Sequence, residues 1–157
     1  MNKASMLSAR FEEVIFNGKW VANTNFSNEL QHVDLKMATL KFNSLNTIAA
    51  IAQHIHYYIN GLCGFFKTGN LSIKDNFSFD FNEINSEKEW QFFLKNFWND
   101  AKEFSSLVEQ MSDEKLDEIF VDKNYGTYQR NIEAMIEHSY YHLGQIALIV
   151  RLCKNQF

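Results

Sequence analysis

Histidine is the residue type in this 157-residue chain best suited to chemistry near neutral pH, and it occurs five times, at His32, His54, His56, His138 and His142. A neutral imidazole offers a lone pair to a cation or a proton. His138 and His142 are four apart, so on an α-helix of about 3.6 residues per turn they share a face, offset by about 40° around the axis. Two rings so placed can grip one ion. Met135, Gln145, Ile146 and Ile149 fall on much the same, largely apolar face, so the pair is expected to look inward. His54 and His56 are two apart, about 200° around the axis, and cannot share a face. His54 lines up with Ala50, Ile51, Tyr58, Gly61 and Phe65, whereas His56 lines up with Ala52, Gln53 and Asn60. His54 is therefore the expected third ligand.

Burying three imidazoles with unmade hydrogen bonds is costly, and a divalent cation offsets that cost by taking a lone pair from each. The HxxxH spacing alone is a weak signal, because such pairs are commonly exposed or hydrogen-bonded. A third inward histidine on a second helix is what turns the reading toward metal. Ser139 stands where HExxH metalloproteases carry their glutamate, so peptidase chemistry is not indicated.

The elements that must position these residues are helical. Proline is absent, so no helix is forced to kink or stop by a missing amide. Leu7, Phe11, Val14 and Ile15 share a face in a first helix over about 5–16, which ends at Asn17-Gly18. From Lys19 to Asn43 the pattern reads as a connection with helical turns, one of them starting after Ser27. A second helix is expected to begin near Ser44 to Asn46 and stop by Gly69-Asn70, with Asn60-Gly61 weakening its last turns. Phe77, Phe79 and Phe81 alternate as in a strand, but a lone strand is marginal, so an extended loop whose aromatics cover the helices is expected. Ser86-Glu87-Lys88-Glu89 is a capping box that starts a third helix running to about Met111. A fourth follows Tyr125-Gly126-Thr127 and runs nearly to the C-terminus. Four amphipathic segments with no competing strand pattern predict an all-α, antiparallel four-helix bundle, one domain over 1–157.

Composition narrows the function. Hydrophobic residues at 46% and charged residues at 22% are those of a globular domain, and no apolar run approaches the roughly 18 residues of a membrane span. A formal charge of −4 with no basic stripe argues against nucleic acid as a partner. The first 16 residues include Lys3, Arg10, Glu12 and Glu13 and lack the pattern of a secretory leader, so the cytoplasm is the expected compartment. Cys63 and Cys153 fall in helical segments with no metal-knuckle spacing and are expected to be buried, inert thiols. Fifteen phenylalanines predict a large apolar interior and enough exposed aromatic surface to pair two copies, so a homodimer is expected.

The stretch Glu137-His138-Ser139-Tyr140-Tyr141-His142-Leu143-Gly144-Gln145-Ile146 resembles the last helix of the DinB/YfiT-like superfamily of metal-binding four-helix bundles. Asn17 to Asn25, Asn46 to Ala49 and Tyr125 to Ile132 resemble one little-characterised branch of it, so the likeness spans most of the chain. The resemblance implies a three-histidine site with one ligand from the second helix and two from the fourth, usually holding nickel or zinc with positions open to water. His54, His138 and His142 match those positions. It also implies similarity to thiol-dependent S-transferases or isomerases.

Two functional readings follow. In the first, the open metal position deprotonates a water or a low-molecular-weight thiol for attack on a small electrophilic substrate, making the protein a thiol-dependent transferase or a hydrolase. Tyr58, Tyr141 and Gln145 fall near the expected site, and Arg130 could hold a substrate carboxylate or an exposed salt bridge. Glu133 and Glu137 are expected to be solvated. In the second, the ion only locks two helices together in a stress-related binding or structural module. A metal-free bundle with ordinary core histidines is the third and weakest alternative.

Overall fold

A side-chain oxygen takes a free amide at the start of every α-helix in the computed structural model, which describes residues 2–155. Asn2 caps α1 (Lys3–Glu12), whose last turn widens into a π-helical turn over Glu13–Asn17. Asn25 caps α2 (Phe26–Leu30), Asp34 caps α3 (Leu35–Thr39) and Thr47 caps α4 (Ile48–Thr68). The reciprocal Ser86–Glu89 box opens α5 (Glu87–Glu109). Ser112 caps α6 (Asp113–Asp117) and Thr127 caps α7 (Tyr128–Lys154). Among the described residues there are seven α-helices and no strand, only an isolated bridge between Ile119 and Thr127. The expectation that the last helix nears the C-terminus holds to Lys154; residues 156 and 157 lie outside the described residues.

Several boundaries differ from the sequence expectation. The short helix after residue 24 is capped by Asn25 and not started by Ser27: Asn25 Oδ1 accepts from the Asn28 amide at 2.8 Å while its Nδ2 donates to the Gly18 carbonyl at 3.0 Å. One side chain thus starts α2 and ties it to the end of the π turn. Helix α4 begins at Ile48, after Asn43 takes a left-handed conformation (φ 50°) inside a turn that the Leu45 amide closes by donating to the Phe42 carbonyl at 2.9 Å. It then passes through Asn60-Gly61 unbroken and ends at Gly69, whose φ of 73° suits a residue without a Cβ.

The long helices meet in pairs: α4 packs on α5 and α7, and α1 packs on the same two. Their shared interior holds Phe11, Phe26, Trp90, Phe97 and Phe104, all fully buried. The Phe11 and Phe104 rings lie 4.4 Å apart, and the Trp90 Nε1–H donates to the Val33 carbonyl at 2.7 Å, so the one polar atom of that ring is satisfied. Each such side chain contributes about 1.5–3 kcal/mol by leaving water. Cys63 and Cys153 are buried and unpaired with each other, and burial pushes the Cys63 thiol up to about 12. No helix is long and apolar enough to cross a membrane, among the described residues.

Candidate metal centre

The contact between α4 and α7 sets the site. On α4, Ile51, Ala52, Ile55 and Ile59 are buried and turn His54 inward, leaving it 6% exposed. On α7, Ile132, Met135, Ile136, Leu143 and Ile146 do the same for His142, also 6% exposed, with His138 half-buried one turn earlier. Ser139, between them, is fully buried and donates back to the Met135 carbonyl at 2.8 Å, so it leaves no unmade bond. The three rings converge through their Nε2 atoms: His138 Nε2 lies 3.2 Å from that of His54 and 2.9 Å from that of His142. Each of the three offers a ligand nitrogen, and these atoms all lie within 4.8 Å of one another.

The outer nitrogens fix the tautomers of two rings. His54 Nδ1 lies 3.0 Å from the Ser78 carbonyl, which can only accept, so Nδ1 carries the proton and Nε2 the lone pair. His142 Nδ1 likewise donates to Gln145 Oε1 at 2.7 Å. Both inner lone pairs then face His138 Nε2, which has at most one proton to share between them. Burial holds His54 and His142 below the ordinary imidazole range. His138 falls to about 4, through burial first and then through the neighbouring His142 and His54. The cluster is therefore neutral at pH 7, the form that ligates metal.

A divalent cation fits this donor set. For metal–nitrogen bonds of about 2.0–2.1 Å in tetrahedral geometry, neighbouring nitrogens sit about 3.3 Å apart. The two short Nε2 separations are close to that. A backbone carbonyl and a side-chain amide holding the outer N–H groups are the partners that orient metal-bound imidazoles.

The loop between α4 and α5 covers the cluster, and the outer surface of α4 holds the loop. A Cβ on Gly61 would collide with the Ile73 side chain, so the glycine lets the loop lie directly on the helix. Tyr57 Oη donates to the Lys74 carbonyl at 3.0 Å and accepts from the Lys74 amide at 2.9 Å. Tyr58 Oη donates to Asp75 Oδ1 at 2.9 Å, and Gln53 Nε2 to the Asn82 carbonyl at 3.1 Å. Pinned so, the loop delivers the Ser78 carbonyl to His54 and stacks Phe79 on the same ring, with centroids 4.2 Å apart. Of the expected aromatic cover, Phe79 lies on the site with Phe81 packed against it, while Phe77 ends a 3-10 turn at Asp75–Phe77 and is exposed.

The other sequence candidates fall into place around this centre. The Tyr58 ring stands 5.1 Å from His54 and 5.2 Å from His138, and Tyr141 packs edge-on to His142 at 4.8 Å while remaining 64% exposed. Arg130 forms an exposed salt bridge with Glu137 at 3.0 Å, and Glu133 accepts from Gln129. His56 points to α5, where it pairs with Asp100 at 2.7 Å, and His32 is exposed after α2. A cleft of about 480 Å³ opens against His138 between α4, α7 and the covering loop. Sequence reasoning missed Ser78 and Asp75: the first acts through its backbone carbonyl, which leaves no side-chain signal, and the second is one ordinary acid in a polar loop. Comparison with family models, with curated proteins and with solved structures returned no match.

Proposed function

We propose that this protein binds one divalent metal ion through the Nε2 atoms of His54, His138 and His142 and uses it to activate a water or a low-molecular-weight thiol against a small electrophilic substrate. The convergence of three neutral imidazole nitrogens, two of them with their outer N–H groups anchored, is the observation that carries this reading. Nitrogen donors suit nickel and zinc. When bound, such an ion supplies acidification of whatever fills its remaining positions. The chain's own part is to fix the tautomers of the His54 and His142 rings, to shield His54 from water with Phe79, and to leave the His138 side open to the cleft. That cleft favours small-molecule chemistry over a purely structural ion.

A DinB/YfiT-like antiparallel four-helix bundle, as one domain, is the architecture we infer. Support comes from the pairwise packing of α1, α4, α5 and α7 and from a site with one histidine on α4 and two on the last helix. The test is metal content by mass spectrometry on untagged wild type beside His54→Ala, His56→Ala and His138→Ala. The expected result is near one ion per chain, lost with His54 and His138 and kept with His56. No ion in the wild type, or equal loss with His56→Ala, overturns the assignment. A positive result leads to assays of thiol transfer and ester hydrolysis.

A further inference from the structure

Besides one of about 480 Å³ beside His56 and Phe93, two sizeable cavities flank the covering loop, and they differ in what they touch. The one of about 570 Å³, beside Phe79 and Phe81, has none of the three clustered histidines in its lining. The other, of about 480 Å³, has His138 in its wall, and the rest of that wall is mainly apolar: Leu62 from α4, Leu71 and Ile73 from the loop, Phe120 from the segment before α7, and Ala134 and Met135 from α7. Its size is that of a site for a small organic molecule.

The polar groups of this cleft are largely committed elsewhere. Tyr58 Oη is bonded to Asp75, and Asn131 Nδ2 donates to the carbonyls of Tyr125 and Thr127 at 2.7 and 2.8 Å. Lys74 and Asp75 are adjacent, exposed and of opposite sign, so together they select for neither charge. What the wall offers a ligand is apolar area.

We infer that this cleft receives the apolar tail, alkyl or aryl, of a substrate whose reactive head reaches the histidine cluster beside His138. The inference rests on the metal reading above and adds the substrate class: a small molecule with a neutral, apolar body. Ala134 lies one helical turn before His138 on the same face of α7, so its small side chain leaves room where the tail enters.

The test uses cobalt(II)-loaded protein and linear hydroxamates from acetohydroxamate to octanohydroxamate, whose head ligates the ion while the tail probes the cleft. Binding is followed by the visible absorption of the cobalt. Affinity should rise by about threefold per methylene, several-hundredfold across the series. Ala134→Trp, which fills the cleft, and Leu71→Asp, which charges it, should each keep acetohydroxamate binding within about twofold and lose at least about tenfold for octanohydroxamate. Circular dichroism checks each fold, and if one variant does not fold the other decides. Normal cobalt bands with a flat chain-length dependence in the wild type, or a steep one that neither variant alters, overturn the tail site alone. Absence of the bands overturns the metal reading and this one with it.

Discussion

On one side of α4, His56 meets Asp100 of α5 at 2.7 Å, and Asn60 donates to the same carboxylate oxygen at 2.9 Å. On the other side, two residues earlier, His54 meets two more imidazoles and a carbonyl. The first arrangement is complete: a donor faces an acceptor, the pair is half-buried, and nothing further is required to satisfy it. The second is not, because three inward nitrogens share at most one proton among them. The same residue type on the same helix is thus a finished structural contact in one direction and an open coordination set in the other. Partners across the interface make the difference, since a carboxylate accepts the ring N–H of an imidazole whereas imidazoles facing one another can share only a cation or a proton.

The sharpest way to break this contrast is to remove one ligand. His138→Ala should lower zinc affinity by about a thousandfold or more and abolish the metal-dependent rise in thermal stability. That rise should approach 4 kcal/mol in the wild type when zinc is near a thousandfold above its dissociation constant. Calorimetric melts with and without zinc measure it, and a His138→Ala protein stabilised as much as wild type would remove the cluster from consideration. Gln145→Leu keeps all three ligands but frees the His142 outer N–H, so zinc affinity in a chelator competition should fall by between about tenfold and a hundredfold.

Acid sharpens the comparison without a mutation. Unfolded imidazoles titrate near 6.5, whereas folded His138 titrates at about 4 and His54 and His142 are also lowered. Between those values the unfolded chain binds more protons, so these groups' contribution is full above pH 6.5, falls as the pH drops toward 4 and then levels. Allowing for solvent screening, the loss assignable to His138 is about 2 kcal/mol at most. Urea midpoints of the metal-free wild type should therefore drop more steeply between pH 6.5 and 4.5 than those of His138→Leu; parallel curves would show that the cluster does not titrate this way. The smallest effect is expected at the finished pair. His56→Ala should cost about 1 kcal/mol, because Asp100 keeps Asn60 and some solvent, and should leave zinc affinity unchanged.

Much of this was legible in the chain because it depends on local periodicity. The angular arithmetic that separates His54 from His56 uses only residues one or two turns away, and the Ser86–Glu89 box is a contact three residues long. What escaped depends on competition or on backbone. Ser27 has cap chemistry, but Asn25 is the residue whose amide can also reach Gly18, and that second bond decides where α2 begins. Asn60-Gly61 reads as a weak spot until Ile73 is seen lying on it: the helix keeps a glycine there because another segment needs the space. The short helices α3 and α6 have caps but too few residues for a helical period to register.

His138 and His142 are neighbours along the chain, whereas His54 and His138 are separated by 84 residues. Closing a loop of that length costs roughly 4 kcal/mol of chain entropy, and here α5 and α6 lie inside it. A fragment containing only α7 could therefore present two ligands as soon as its helix forms, but the third arrives only when everything between α4 and α7 has been threaded into place. On the proposed metal reading, ion affinity should therefore gauge how far folding has gone, weak for an isolated helix and strong only for the closed tertiary structure.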